Sequence, residues 1–151
     1  MRDDNELIKL LEGYADKNWN WWAISANPNV TMEYVEGHLD KPWDWDGLSC
    51  NPNLTMEYVE KHPDKSWNWH AISKNPAVIM EYVEMHPDQP WDEDGISRNP
   101  NLTMEYVDNH PEKLWNWEAI SWNDNLNMDY VDRHPIPRNR GIGLESAGIQ
   151  T

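Results

Sequence analysis

Five histidines recur at a strict 24-residue spacing, His38, His62, His86, His110 and His134, and imidazole is the commonest metal ligand and proton carrier among side chains. The spacing decides against a shared ion. Equivalent atoms of successive repeats lie about 10 Å apart, the width of a packed helix, whereas ligands sit about 2 Å from a metal. Each His instead ends a helical segment before Pro, or before Leu39 in the first copy. There imidazole caps free carbonyls and, when charged, gains from the helix dipole. Glu57 with Glu60 resembles an acid/base pair, but carboxylates recur at these positions in every repeat, and a catalytic pair is unique and set in a cleft. They read as a solvated face. Ser25, Ser49, Ser73, Ser97 and Ser121 have no nucleophile setting and read as bonding backbone near a helix end. The recurring Asn-Pro-Asn lacks the alternating acids of a calcium loop, and turn chemistry accounts for it. Gly141-Ile142-Gly143 has no strand and helix around it to make a phosphate loop. The sequence therefore predicts no catalytic residue, no metal ligand set and no cofactor.

The aromatic residues are the stronger binding candidates. Trp19, Trp43, Trp67, Trp91 and Trp115 form one invariant column, and Trp21, Trp45, Trp69 and Trp117 form a second, interrupted by Glu93. A fully buried site would not take that glutamate cheaply, so the second column is expected to be at least partly exposed. Two readings stay open: a Trp ladder that binds a partner, or rings that lie flat over the neighbouring repeat and shield its backbone.

These side chains need elements to hold them, and the 24-residue period supplies two per repeat. Residues 53–62 predict a short helix with Thr55 as N-cap and Glu57 in the first turn, stopped by Pro63. Leu54 and Val59 make a hydrophobic staple, repeated as Val30/Val35, Val78/Val83, Leu102/Val107 and Leu126/Val131. Ile79 removes the cap from the third copy and Asn127 replaces it in the fifth. A second element spans 42–49, with Asp40 as the expected cap and Pro42 in the first turn. It is expected to be a single turn or a 3₁₀ stretch. Ala23, Gly47, Ala71, Gly95 and Ala119 stay small, as close approach of two elements requires. The Ile24/Leu48/Ile72/Ile96/Ile120 column refuses charge, as packing against the next repeat enforces. The columns of Trp22, Asp46, His70, Asp94 and Glu118, and of Ala26, Cys50, Lys74, Arg98 and Trp122, are expected to face solvent.

Helices this short are marginal alone, so the repeats must stack. The expected layout is a capping half-repeat in 1–16, with Ile8, Leu10 and Leu11 in register with Met32, Tyr34 and Val35, five repeats over 17–134, and a tail over 135–151 that is flexible unless bound.

Only 38% of the residues are hydrophobic and 26% are charged, with no Phe, but eleven Trp compensate. Each buried aromatic removes roughly 150–250 Å² from water. A formal charge of −15 repels phosphate backbones and anionic lipid, arguing against nucleic-acid or membrane partners and leaving a protein segment, basic or aromatic-seeking, as the favoured one. The lone Cys50 forms no internal disulfide and fits a reducing compartment. The acidic start, Met1 to Glu6, does not read as a signal peptide, so an intracellular, cytoplasmic setting is expected rather than secretion.

The stretch from Asn51-Pro52-Asn53-Leu54-Thr55 through Trp67 to Ser73 resembles the leucine-rich variant repeat, a resemblance that implies alternating α and 3₁₀ helices in a right-handed superhelix. Some members of that family carry an iron–sulfur cluster, which a single cysteine cannot support. The wording Asp-Lys-Pro-Trp-Asp-Trp followed by Leu-Ser-x-Asn-Pro-Asn-Leu-Thr over 40–55 resembles the Trp-rich tandem repeats of large nucleocytoplasmic DNA viruses, a resemblance that implies a virion as the alternative setting. The expected fold is an all-α, right-handed solenoid of 24-residue repeats. The expected function is non-enzymatic: protein binding through a Trp ladder beside acidic faces, or else a structural, assembly-associated role, with self-association left open.

Overall fold

The computed structural model describes residues 6–134; the expected tail over 135–151, and all but Glu6 of the acidic start that does not read as a signal peptide, lie outside them. Among the described residues the chain is all-α. Its helices are α1 (Glu6–Gly13), α2 (Trp21–Ser25), α3 (Met32–Gly37), α4 (Trp45–Ser49), α5 (Met56–Lys61), α6 (Trp69–Lys74), α7 (Met80–Met85), α8 (Glu93–Ser97), α9 (Met104–Asn109), α10 (Trp117–Ile120) and α11 (Met128–Arg133). After α1, each 24-residue repeat contributes one Trp-column helix and one Met-started helix. None of them is long and apolar enough to cross a membrane.

The Met-started helices begin where the sequence places them. Thr31, Thr55 and Thr103 accept from the backbone N–H three residues on, Asn127 does the same, and Ile79 makes no such bond. Staple partners Leu54 and Val59 are both buried, which fixes the entry of the chain into α5. In α1, Ile8 and Leu11 are buried while Leu10 is exposed, so only part of its register with α3 is used for packing.

Two details of the Trp-column helix differ from expectation. Its cap is Asp44, not Asp40: Asp44 Oδ1 accepts the Gly47 N–H at 2.8 Å. Trp43 stands before the helix, because its indole Nε1 donates back to the His38 carbonyl at 2.8 Å and holds the approach extended. Of the two forms expected for this element, a single turn or a 3₁₀ stretch, it takes the first, as a short α-helix. Only its closing bonds have the shorter reach, as in Cys50 N–H to the Gly47 carbonyl and Asn51 N–H to that of Leu48, both 3.0 Å.

A 48-residue super-period lies over the 24-residue one. The cap column alternates Asn20, Asp44, Asn68, Asp92, Asn116, and the small column alternates Ala and Gly in step with it. Helix α2 packs closely on α4 and α6 on α8, whereas α4 touches α6, and α8 touches α10, far less. Glycine explains the difference. A Cβ at Gly47 would lie 2.5 Å from the Trp22 carbonyl oxygen, and one at Gly95 2.7 Å from that of His70. Gly47→Ala should therefore cost about 1–3 kcal/mol as overpacking, although Ala is the better helix former by about 1 kcal/mol. Urea unfolding would show it. In Ala71→Gly, at the looser kind of interface, no clash is relieved, and the loss of propensity and of one buried methyl should together cost about 1–2 kcal/mol.

Candidate interaction surface

The repeats are joined by polar side chains that reach one repeat back. Asn51 is fully buried, and its Nδ2 donates to the carbonyls of Ser25, Asn27 and Val30 at 2.7, 3.1 and 3.2 Å. Asn99 repeats this with Ser73, Asn75 and Val78 at 2.8, 3.1 and 3.1 Å. Asn75 donates to Ser49 and Asn51, and Asn123 to Asn99. Turn chemistry is thus half the role of this column: Oδ1 does accept from the backbone two residues on, as at Asn53, while Nδ2 ties the neighbouring repeat. The serines are buried at the same level. Ser25, Ser49, Ser73 and Ser97 each accept a backbone N–H from 19 residues on, at 2.9–3.0 Å. Ser49 and Ser97 also donate to the carbonyl four residues back, the local bond expected from sequence.

A second layer is aromatic. Trp43, Trp67, Trp91 and Trp115 donate Nε1 to the carbonyls of His38, His62, His86 and His110 at 2.8–2.9 Å. The histidines cap as expected at four of five positions: Nδ1 of His38, His86, His110 and His134 faces the Tyr carbonyl four residues earlier. Nε2 has a further role, lying 2.9–3.9 Å from a carboxylate of the previous repeat in the pairs His62–Glu36, His86–Glu60, His110–Glu84 and His134–Asp108. Tyr82 and Tyr130 donate their hydroxyls to Glu60 and Asp108. The Glu60 column is therefore not merely a solvated face; its carboxylates lie against the next repeat. Glu57 does face solvent, pairing with Lys61 at 2.9 Å.

This packing titrates at high pH. Burial first, then the nearby carboxylate, pushes the Tyr58 and Tyr130 phenols up to about 12 and raises Tyr82 as well. The folded chain then holds protons that the unfolded chain, with phenols near about 10, has released. The associated stability is full below pH about 10 and is lost as pH climbs through about 12. Unfolding followed by circular dichroism should coincide with a tyrosinate absorbance step displaced above that of free tyrosine.

The second Trp column lies between the two readings left open by sequence. Trp21, Trp45 and Trp69 are half-buried, each meeting the first-column Trp of the next repeat edge to face, with ring centroids 5.4, 5.1 and 5.3 Å apart. Trp117 is 36% exposed. Glu93 fits because its Oε2 accepts the Leu114 N–H at 2.8 Å. Positions 42 and 90, at the same step in two other repeats, are Pro and offer no N–H. These rings open on clefts. One of about 360 Å³ is lined by Glu60, Pro63, Trp67, Trp69, Tyr82 and Pro90. Its counterpart 48 residues on, of about 540 Å³, is lined by Asp108, Pro111, Trp115, Trp117 and Tyr130.

Lys65 shows what the faces of these rings accept, its ammonium lying 5.3 Å above the Trp45 ring centroid, a cation–π distance. The residue in the same relation to Trp69 is Gln89.

Solvent-facing columns are more connected than expected. Trp22 donates Nε1 to Asp46 at 2.7 Å, and Asn68 donates to the same carboxylate. Those two bonds, Asn68 first, hold the Asp46 carboxyl below its ordinary range. Arg98, then Asn116, does the same for Asp94. His70 joins this chain, with Nδ1 2.9 Å from Asp92 and 3.8 Å from Asp94, a trio close enough together to suggest a divalent metal. Each carboxylate is already engaged. Asp92 Oδ1 caps α8 through the Gly95 N–H at 2.6 Å, and Asp94 holds the Arg98 guanidinium at 2.9 Å. The trio thus closes the tight interface between α6 and α8. Cys50 is half-buried, and burial pushes its thiol up, away from the reactive thiolate.

The site and fold define a Trp-rich tandem-repeat protein of short helices. Compared with protein-family models, with curated proteins and with solved structures, the chain matches none.

Proposed function

We propose that this chain is a non-enzymatic protein-interaction module, a right-handed α-solenoid whose aromatic clefts take basic side chains from an extended partner segment. The observation that carries this reading is the exchange of Lys65 for Gln89. In one repeat a lysine of the chain itself, Lys65, covers the second-column Trp; over Trp69 a neutral amide stands in its place, in a cleft whose walls carry the backside of Lys65 and Glu60, the latter also accepting the Tyr82 hydroxyl. An incoming Lys or Arg would find a ring face and a carboxylate together, and the charge of −15 would draw such a segment in. Clefts two repeats apart, on the order of 20 Å, suit a segment rather than a small molecule.

Fluorescence titration with a peptide alternating arginine and proline should quench Trp saturably, more weakly at high salt. An oligoglutamate peptide should do nothing. Trp69→Ala should weaken binding about tenfold or more, as loss of a central aromatic anchor does. Equal affinity in Trp69→Ala and the unmodified chain would reject the cleft as the site.

A structural, assembly-associated role is the second reading. The strongly exposed Met85, Leu114 and Trp122 favour it, since large apolar side chains left in solvent are what a scaffold contact would cover.

A further inference from the structure

Three rings on the walls of the cleft at Trp69 are held in place by the fold itself. Trp67 is fixed through its Nε1, which donates to the His62 carbonyl at 2.9 Å. Trp69 and Tyr82 share one support, Trp91, which meets them edge to face at 5.3 and 6.0 Å and is tied to the His86 carbonyl at 2.8 Å. Tyr82 is pinned further by its hydroxyl on Glu60 and by the His86 ring stacked on it at 3.9 Å. These three rings and Glu60 line one space of about 360 Å³, and each is at least partly open to solvent. The same four types, Trp115, Trp117, Tyr130 and Asp108, line the cleft 48 residues on, so the combination comes from the architecture and not from one repeat.

A cation entering this cleft meets aromatic walls and a carboxylate, but little that accepts a hydrogen bond. Among the described residues Glu60 is the one carboxylate on the walls, and its Oε1 already accepts from the Tyr82 hydroxyl and lies 3.6 Å from His86 Nε2. An unmodified lysine brings three N–H donors, which lose water on entry and are costly to leave without acceptors. The lysine that the chain itself sets over a Trp face has such an acceptor: the Lys65 ammonium, above Trp45, lies 3.1 Å from Asp64. A quaternary ammonium carries the same charge with no donor at all. Its methyl groups spread that charge over apolar surface, which aromatic faces attract and cover.

Resting on the interaction role proposed above, we propose that the cleft at Trp69 is a cage for a quaternary ammonium, and that its occupant is a trimethylated lysine of the partner segment. Trp67, Trp69 and Tyr82 enclose the methyl groups, and Glu60 supplies charge without having to accept a further hydrogen bond. Gln89 leaves the Trp69 ring free of the internal cation that covers Trp45. Because Trp91 and the His62 and His86 carbonyls hold the rings beforehand, little ordering remains to oppose binding.

Fluorescence titration of the full chain tests this with a serine–proline peptide whose single central side chain is lysine, trimethyl-lysine, or the uncharged isostere in which tert-butyl replaces trimethylammonium. Trimethyl-lysine should bind about tenfold more tightly than either of the others. Trp69→Ala should abolish the difference. Gln89→Lys should do the same with an unchanged circular dichroism spectrum, since it sets the chain's own ammonium over Trp69 as Lys65 stands over Trp45. Equal affinity for lysine and trimethyl-lysine, while the arginine–proline peptide still binds through Trp69, would overturn the cage and leave the interaction role standing. Failure of every peptide, the arginine–proline one included, would overturn both. An isostere that binds as well as trimethyl-lysine, or a preference that survives both variants, would also overturn the cage. Binding of phosphocholine without any preference for trimethyl-lysine would assign the cleft to a lipid headgroup and overturn the occupant named here.

Discussion

Asn99→Leu should cost about 3–5 kcal/mol and split one unfolding transition into two. Leucine fills nearly the same space, so the loss is not a cavity. What disappears is an amide whose two hydrogens are shared among the carbonyls of Ser73, Asn75 and Val78, and whose Oδ1 holds the Asn101 N–H at 2.8 Å. Burial is complete at Asn99, so water does not replace these bonds, and each buried polar group left short of a partner costs about 1–3 kcal/mol. Val78 keeps a bond from Asn101 and Asn75 keeps one from the Val78 N–H, which holds the total below the sum of separate losses. Because a repeat array is coupled only through neighbours, weakening this junction should uncouple the first three repeats from the last two. Urea denaturation followed by Trp fluorescence and by circular dichroism should then give non-coincident curves. The same change at Asn123, half-buried and with Nδ2 donating among the described residues to the Asn99 carbonyl alone while Oδ1 accepts the Asn125 N–H, should cost about 1 kcal/mol and leave the transition single. Equal effects at the two positions would refute the ladder as the main tie between repeats.

That ladder marks the boundary of what the sequence could reveal. The Thr-capped helices, the staple and the small column were legible because their causes are local or steric: a side-chain oxygen three residues from an N–H, or a position that refuses a Cβ. The asparagines were read as turn formers because half of their bonding is that of a turn. An invariant Asn looks the same in sequence whether its Nδ2 meets water or a carbonyl 21–26 residues earlier. The cap at Asp44 is hidden in the sequence for a related reason. Asp40 and Asp44 are both good caps by type, and what selects Asp44 is the Trp43 indole reaching back to His38, a contact that spacing alone does not show. The Tyr–His–carboxylate contacts and the Glu93–Leu114 bond were hidden in the same way. The 48-residue alternation was present in the letters, in Asn against Asp and Ala against Gly. It is averaged away in a consensus of the five copies, and its meaning is structural, since α4 packs more closely on α2 than on α6.

Trp43→Ala should be the most damaging change in the aromatic layer, at about 3–5 kcal/mol. Trp43 is 7% exposed and lies where two earlier rings converge: Trp21 meets it edge to face at 5.4 Å and Tyr34 at 6.0 Å. Such contacts add about 0.5–1.5 kcal/mol each beyond area burial. The indole also holds the carbonyl of His38, the C-cap of α3, which the Lys41 N–H shares at 3.1 Å. Trp43→Phe separates these contributions. It keeps a ring in the slot but has no N–H for His38, so about 1–2 kcal/mol should be lost through the hydrogen bond and the smaller ring. Trp45→Ala, at the half-buried neighbour, should cost less than Trp43→Ala, because that ring already spends part of its surface in water. The order Trp43→Ala, then Trp45→Ala, measured by urea midpoint at constant slope, is the consequence of first-column rings anchoring each repeat while second-column rings lean on them. If the order were reversed, the half-exposed rings would be the main support of the stack, and could not be spared for a partner.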